Sequence, residues 1–193
     1  ELLASAIRLP RPGGVVLYAT CSPHLAAEQK GERLCAQAVA DAVRRIAQQH
    51  EILIVEGAGG ILVPLNTTET MLNLMQTLDL PVVLVARSGL GTINHTLLSL
   101  RALRDAGCRL AGVVINDCMP TDHGPIERDN RQVIESMGEI PAVLRLPHLE
   151  GLDAMDPGAF QTWARQHFPE IGTWIGSSRE TQRGVRTTRE SSS

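Results

Sequence analysis

Short apolar runs alternate with longer amphipathic stretches along this chain, and this alternation constrains the fold more than any other feature. The apolar runs, each too short for a helix, cover residues 15–18, 52–55, 81–86, 110–115 and 142–146. The stretches with apolar residues at helical spacing cover residues 32–49, 70–78, 94–106, 125–137 and 157–167. Strands that alternate with helices predict an α/β fold, in which helices cover both faces of a mostly parallel sheet. The run at 81–86 is apolar at every position, which predicts a strand buried on both faces.

The length of 193 residues fits one domain, because domains commonly run about 100 to 200 residues. Residues 1–14 end in a segment rich in Pro and Gly and are predicted to be a leftover helix and linker. Residues 15–175 are predicted to form a single α/β domain. Residues 176–193 are rich in Ser, Thr and Arg and lack apolar periodicity, which predicts a disordered tail.

Composition argues against three other classes of protein. No run approaches about 18 consecutive apolar residues, so we expect no membrane span. The net charge of −3 lacks the basic surplus that is typical of nucleic-acid binders. The four cysteines have no CxxC spacing, so a zinc site is not expected. Because no signal-peptide pattern occurs at the N-terminus, reduced thiols and a cytoplasmic location are predicted.

Ligands of parallel α/β sheets bind at the carboxyl ends of the strands, so the residues after each strand are the candidate sites. The strand at 52–55 is followed by Glu56 and then by the turn Gly57-Ala58-Gly59-Gly60. A carboxylate can hold Mg²⁺, and small residues let the backbone approach a bulky anion. A strand that simply ends in a tight glycine turn is an equally good interpretation.

Three further strand ends carry weaker patterns. The glycine loop after the third strand leads into a helix whose first turn holds Thr92 and Asn94, which suits an anion. Ordinary N-capping by either residue is the favoured interpretation there. Asn116 and Asp117 follow the next strand, where an amide can contact a base edge or form a turn. His148, after the last strand, is either a catalytic candidate or an ordinary packed or exposed histidine.

Six segments, in this order, resemble the pattern of the dethiobiotin synthetase family. They are SPHLAA at 22–27, VEGAGG with VPL at 55–65, LPVVLVA at 80–86, GLGTINHTLL at 89–98, GVVIN at 112–116 and LPHL at 146–149. Each segment is weak alone, but together they keep the family's order and spacing. The resemblance covers residues 18–163, which is most of the chain.

The resemblance implies a P-loop NTPase-like fold and an ATP-dependent ligase of biotin biosynthesis. The family uses Mg²⁺ and ATP to join CO₂ to 7,8-diaminononanoate, and it closes the ring to give dethiobiotin, ADP and phosphate. Glu56 is implied as the Mg²⁺ ligand. The residues implied in ATP binding are Glu56, Gly57, Ala58, Gly59, Asn116, Asp117, Pro147, His148 and Leu149. Those implied in binding the substrate carboxylate, for the other subunit of a homodimer, are Gly91, Thr92 and Asn94.

The sequence departs from the family pattern at its beginning. No GK[ST] motif occurs, and Lys30, which is the only lysine, lies in a different context. The family's phosphate loop and catalytic lysine are therefore absent from this sequence, and the first βαβ portion of the fold is missing. We expect the 193-residue chain by itself to be an inactive fragment. Two alternatives stay open: a non-catalytic dimerising homologue, and a relative of the cobyrinate amidating enzymes.

Overall fold

The computed structural model describes residues 6–8, 14–17, 34–50, 52–57, 59–117, 125–140, 143–151 and 155–167. Its strands are β1 (Ala6–Arg8), β2 (Gly14–Leu17), β3 (Ile52–Val55), β4 (Val82–Arg87), β5 (Leu110–Asn116) and β6 (Val143–Leu146). Its helices are α1 (Ala36–Ala47), α2 (Met71–Leu78), α3 (Thr92–Asp105), α4 (Pro125–Gly138) and α5 (Pro157–His167). The predicted alternation of strands and helices from the second strand onward is therefore confirmed, with bounds shifted by a few residues.

The described strands form two sheets of three strands each, in the orders β1-β2-β3 and β4-β5-β6. β2 pairs with β3 in parallel, and β5 pairs in parallel with both of its neighbours. The pairing of β1 with β2 is antiparallel. The sheets are thus mostly parallel, as predicted for an α/β protein of the P-loop NTPase-like class.

The start of the chain differs from its prediction. A leftover helix was expected within residues 1–14, but Ala6–Arg8 is a strand whose partners are Leu17, Val16 and Val15. The physical reason is that backbone pairing with β2 outweighs the weak helical preference of a short apolar segment. The helix prediction for this segment is therefore wrong at these residues.

The chain divides into two compact units, Glu1–Leu80 with Asp105–Cys108 and Pro81–Arg104 with Arg109–Ser193. In the first unit, α1 and α2 pack together against Leu53 and Val55 of β3. The buried residues of this core are Ala36, Val39, Ala40, Val43, Leu65, Met71 and Leu74. The end of α2 is fixed by Asp79, which adopts the left-handed conformation at φ 51°.

The core of the second unit lies between β5 and the helices α3 and α4. Its buried residues are Leu100, Val113, Ile115, Ile134, Ile140 and Val143. At the end of α4, the Arg104 guanidinium donates to the carbonyl oxygens of Gly138 and Glu139, which satisfies carbonyls that a helix end leaves unpaired. This core holds the ends of β4, β5 and β6 in place, and three of the candidate segments follow those ends.

The prediction that the strand at 81–86 is buried on both faces is wrong. Along β4 half-buried and exposed residues alternate, and Val83 and Val85 are 42% and 63% exposed. The reason is that successive side chains of a strand point to opposite faces, and among the described residues only one face of β4 is covered. β5 lies at the centre of that sheet and is buried from Gly112 to Ile115.

Several predictions lie outside the described residues. They concern the segment at 22–27, Lys30, Ala58 and the tail at 176–193. The extent of a single domain over 15–175, and helices on both faces of one sheet, stay predictions. Within the part of the chain that the structure describes, no helix is long and apolar enough to cross a membrane.

Candidate functional site

The turn after β3 presents a carboxylate and then folds tightly. Glu56 is exposed, and Gly57 after it is half-buried. A Cβ atom on Gly57 would lie 2.9 Å from Cε of Met71, which is the far end of a flexible side chain and can shift to make room. Gly59 has φ +73°, and a Cβ atom there would lie 2.9 Å from Cγ2 of Val63. Gly59 is therefore required by its backbone conformation and local packing, whether or not a ligand also approaches it, whereas Gly57 is not.

Glu56 is suited to a Mg²⁺ site in which the substrate supplies some of the ligands. Mg²⁺ in nucleotide enzymes is usually held by one or two carboxylates, water and the substrate phosphates. Among the described residues, no group of three or more His, Cys, Asp and Glu side chains could hold a metal ion by itself. An exposed carboxylate at a strand end fits an ion that is shared with a phosphorylated substrate, and not an ion enclosed by protein ligands.

A hydrogen-bond network that was not predicted from the sequence anchors the chain beyond this turn. The amide of Asn66 donates to the carbonyl oxygen of Leu34 over 2.7 Å and to the carboxylate of Glu69 over 2.5 Å. That carboxylate also accepts from the backbone N–H of Ala36, at the start of α1, over 3.2 Å. Asn followed by Thr and Glu just before a helix is a pattern of local turns and caps, so the sequence carried a signal for part of this network.

A second candidate site is a cleft of about 410 Å³ between β4 and α3. The residues lining it are Leu84, Val85, Ala86, Arg87, Gly89, Leu90, Thr92, His95, Thr96 and Ser99. Of the three residues predicted for the substrate carboxylate, Thr92 lines the cleft. Gly91 directly precedes the helix and Asn94 is exposed on its first turn, beside the cleft.

The first turn of α3 has N–H groups available for an anion. The helix begins at Thr92, so neither Thr92 nor Asn94 occupies the N-cap position that the capping interpretation requires. The N–H of Thr92 donates to the carbonyl of Gly89 and that of His95 to the carbonyl of Gly91. The N–H groups of Ile93 and Asn94 have no carbonyl acceptor in the described part of the chain, so they are available to a ligand.

The cleft also has a polar helix face that sequence analysis did not identify. Thr92, His95, Thr96 and Ser99 are spaced by three and four residues, so they share one face of α3. Thr92 and Thr96 are buried, and their hydroxyl oxygens lie 3.5 Å apart. Arg87 brings a positive charge to the same cleft from the end of β4. Polar residues at helical spacing were the available signal for this face.

The ends of β5 and β6 bring the third group of candidates together. Asn116 is the register partner of Leu146, and the N–H of Asp117 donates to the carbonyl of Leu146 over 2.9 Å. The segment formed by Pro147, His148 and Leu149 follows directly and is half-buried. These candidates therefore lie at one edge of one sheet, as the parallel topology predicts.

The carboxylate of Asp117 is not open to a ligand. Its side chain is 0% exposed, and its two oxygens lie 2.8 and 3.1 Å from Nε of Arg145. If Asp117 contacts adenine as expected, the contact must therefore be made by its backbone and not by its side chain. Arg145 was not identified from the sequence, because it lies 28 residues from Asp117 and the two meet only through strand register.

A buried junction connects the end of β4 with β5 and α4. The N–H of Ser88 donates to the carbonyl of Asn116 over 3.2 Å, and the amide of Asn130 donates to the carbonyl of Ser88 over 3.0 Å. Ser88 and Asn130 are 1% and 6% exposed. Oγ of Ser88 has no hydrogen-bond partner among the described residues. The junction fixes the start of the loop that leads into α3.

Comparison with known proteins places these features in a family. The sequence profile of a family described as an AAA domain matches residues 2–156. The ATP-dependent dethiobiotin synthetase BioD of Paramagnetospirillum magneticum is 42% identical over 152 residues, which are 79% of this chain and 68% of that protein. The protein of the same name from Anaeromyxobacter sp. (strain Fw109-5) is 40% identical over 134 residues, 69% of this chain and 60% of that protein.

A longer protein is similar as well. The biotin biosynthesis bifunctional protein BioCD of Bordetella avium is 44% identical over 126 residues, which are 65% of this chain and 25% of that protein. The chain therefore spans about two thirds or less of these relatives. The similarity to dethiobiotin synthetases favours them over the alternative of a cobyrinate amidating enzyme. The identity to the Paramagnetospirillum protein, over more than two thirds of its length, shows that this chain belongs to the dethiobiotin synthetase family.

Proposed function

We propose that the protein to which this chain belongs is a dethiobiotin synthase, an ATP- and Mg²⁺-dependent ligase of biotin biosynthesis. It joins CO₂ to 7,8-diaminononanoate and closes the ureido ring, giving dethiobiotin, ADP and phosphate. The observation that carries this proposal is the 42% identity to a dethiobiotin synthetase over 152 residues, which are 79% of this chain.

The nucleotide and the metal are assigned to the strand ends. Glu56 would hold Mg²⁺, which would supply neutralisation of charge on the phosphates, and the turn of Gly57, Ala58 and Gly59 would lie against the nucleotide. The base is bound at the ends of β5 and β6, by Asn116, the backbone of Asp117 and the segment Pro147, His148 and Leu149. Support for this placement comes from the shared sheet edge of β5 and β6 and from the exposure of Glu56.

The substrate carboxylate is assigned to the first turn of α3. Gly91 has φ +88°, a backbone conformation that favours glycine directly before the helix. The N–H groups of Ile93 and Asn94 are suited to a carboxylate, and the helix dipole favours its negative charge. Gly91 and Thr92 shape this turn, and Asn94 adds its exposed amide.

The chemistry is phosphoryl transfer followed by ring closure. One substrate amine takes up CO₂ as a carbamate, whose oxygen attacks the γ-phosphorus of ATP, and ADP leaves. The second amine then attacks the carbamate carbon, and phosphate leaves as the ring closes. In such reactions the protein chiefly positions the groups and stabilises charge. We assign no catalytic residue in this chain, because the family's phosphate loop and lysine do not occur in its sequence.

The protein is further proposed to act as a cytoplasmic homodimer in which α3 of one subunit completes the site of the other. Exposure of Leu90 and Leu98, at 100% and 61%, provides apolar surface beside the proposed carboxylate turn for such a contact. The measurement is sedimentation of the purified protein, for which a dimer is expected and a monomer under assay conditions contradicts the shared site.

Genetic complementation tests the function. The complete reading frame that contains these residues is expressed in a bacterial strain whose own dethiobiotin synthase gene is deleted, on medium without biotin. Growth is expected, because the strain lacks only the conversion of diaminononanoate to dethiobiotin. The Glu56→Gln variant should support slower growth than the wild type at equal expression. Growth that depends on added dethiobiotin, although the wild-type protein is soluble and expressed, contradicts the proposal.

A further inference from the structure

The ion pair between Arg145 and Asp117 joins the ends of two neighbouring strands inside the protein. Arg145 is the register partner of Ile115, and Asp117 lies two residues beyond Ile115. Residues two apart in an extended chain point to the same side, so the Arg145 side chain reaches Asp117 along the diagonal. Nε of Arg145 lies 2.8 Å from one carboxylate oxygen and 3.1 Å from the other.

The burial of this pair is unequal. The Asp117 side chain is 0% exposed and the Arg145 side chain is 21% exposed. A carboxylate without any solvent contact needs a cation and hydrogen bonds, or its burial is strongly unfavourable. A buried pair adds little stability compared with apolar residues, but it allows only a narrow range of geometries. Fixed geometry is therefore what this pair contributes.

A backbone hydrogen bond forms a second link between the ends of β5 and β6, beside the ion pair. The N–H of Asp117 donates to the carbonyl of Leu146, next to Arg145 in the chain. Asn116 precedes this connection on one strand, and Pro147 follows it on the other. The distance between Asn116 and the segment beginning at Pro147 is thus set at the point where both strands end.

We propose that Arg145 is a positioning residue for recognition of the nucleotide base. It holds the Asp117 carboxylate, so that Asn116 and the segment from Pro147 to Leu149 keep the separation needed to contact a purine. This inference rests on the proposed function, and it adds that Asp117 acts through its backbone while its side chain serves Arg145. Arg145 affects binding of the nucleotide and the choice between adenine and guanine, but not binding of diaminononanoate.

The test uses the product of the complete reading frame and measures ATP and GTP separately. Arg145→Met keeps the length of the side chain and removes its charge. We expect a rise of roughly tenfold in KM for ATP, which corresponds to about one lost hydrogen bond to the base, and a smaller preference for ATP over GTP. KM for diaminononanoate should stay unchanged. Arg131→Met is the matched control, because Arg131 pairs with Glu135 over 2.9 Å on the exposed surface of α4.

A second variant covers the case in which Arg145→Met does not fold. The double variant Asp117→Leu with Arg145→Met replaces the pair by apolar residues, a change that buried ion pairs often tolerate. We expect it to fold and still to show the raised KM for ATP and the reduced base preference. Equal KM values and equal base preference in this folded variant and in the wild type would overturn the inference.

Direct binding separates the inference from the function. Calorimetric titration with ADP alone measures nucleotide binding without turnover. If the wild type binds ADP but makes no dethiobiotin, the proposed function fails, and the titration of the double variant still decides the role of Arg145. Weaker ADP binding by the double variant than by Arg131→Met supports that role. Equal affinities overturn it.

Discussion

Replacing Gly59 with alanine should destabilise the first unit strongly, whereas the same change at Gly60 should not. Gly59 has φ +73°, which costs a residue with a side chain about 1 to 2 kcal/mol. The new Cβ would also lie 2.9 Å from Cγ2 of Val63, and such overpacking costs about 1 to 3 kcal/mol. The free energy of unfolding should therefore fall by about 2 to 5 kcal/mol.

Gly60 provides the control within the same turn. No atom lies within 4 Å of a Cβ placed there, so Gly60→Ala should leave the free energy of unfolding unchanged or raise it by up to about 1 kcal/mol. Urea denaturation followed by circular dichroism measures both variants. Adding Val63→Ala to Gly59→Ala should restore the part of the unfolding free energy that is lost to overpacking. The part that is lost to the backbone conformation of residue 59 should remain. Equal stabilities for Gly59→Ala and Gly60→Ala would refute the packing described for this turn.

Three further predictions concern other parts of the chain. Asn94→Ala should raise KM for diaminononanoate with little change in KM for ATP, and mixing it with Glu56→Ala should recover activity; no recovery after demonstrated subunit exchange contradicts the shared site. Burial, and then the negative charge of Asp79, raise the pKa of the Cys108 thiol above its ordinary value of 9.0. The folded state therefore disfavours the thiolate, so the neutral thiol of Cys108 contributes stability below pH 9, and this contribution is lost as the pH rises further. Alkylation of Cys108 should begin at lower pH in Asp79→Asn, because the variant lacks the negative charge beside the thiol. Identical pH profiles of alkylation in the variant and the wild type contradict this. Val85→Thr, at a position 63% exposed, should reduce binding of a hydrophobic dye to the 193-residue chain, and undiminished binding would show that the dye binds elsewhere.

Local patterns predicted the elements from β2 onward, because each has a clear period. Apolar residues at helical spacing predicted α2 and α3, and the continuous apolar run at 110–115 predicted the strand observed as β5. β1 was missed because a three-residue strand has no period of its own and exists only through pairing with Gly14–Leu17. The exposed face of β4 was missed because a run that is apolar at every position does not show which face of the strand other elements cover.

The candidate site was predictable where it depends on strand ends and not where it depends on side-chain partners. Glu56 and Asn116 follow apolar strands, so the general rule for parallel sheets identified them. The burial of Asp117 against Arg145, and the donation from Asn130 to Ser88, depend on tertiary contacts between residues 28 and 42 positions apart. No local pattern predicts such contacts. The sequence therefore did not show that the Asp117 side chain is buried and that only its backbone is left to contact a base.

We propose above all that the protein to which this chain belongs fixes CO₂ into dethiobiotin at a metal site that includes Glu56. Incorporation of radiolabelled bicarbonate into dethiobiotin, with diaminononanoate, ATP and Mg²⁺, measures this directly for the product of the complete reading frame. We predict label in dethiobiotin that requires all three additions and falls roughly tenfold or more in Glu56→Gln, since loss of a carboxylate weakens a hard-cation site. Glu139→Gln, an exposed control, should keep full incorporation. Failure of the wild type to incorporate label, or equal incorporation by wild type and Glu56→Gln across a Mg²⁺ titration, would contradict the claim.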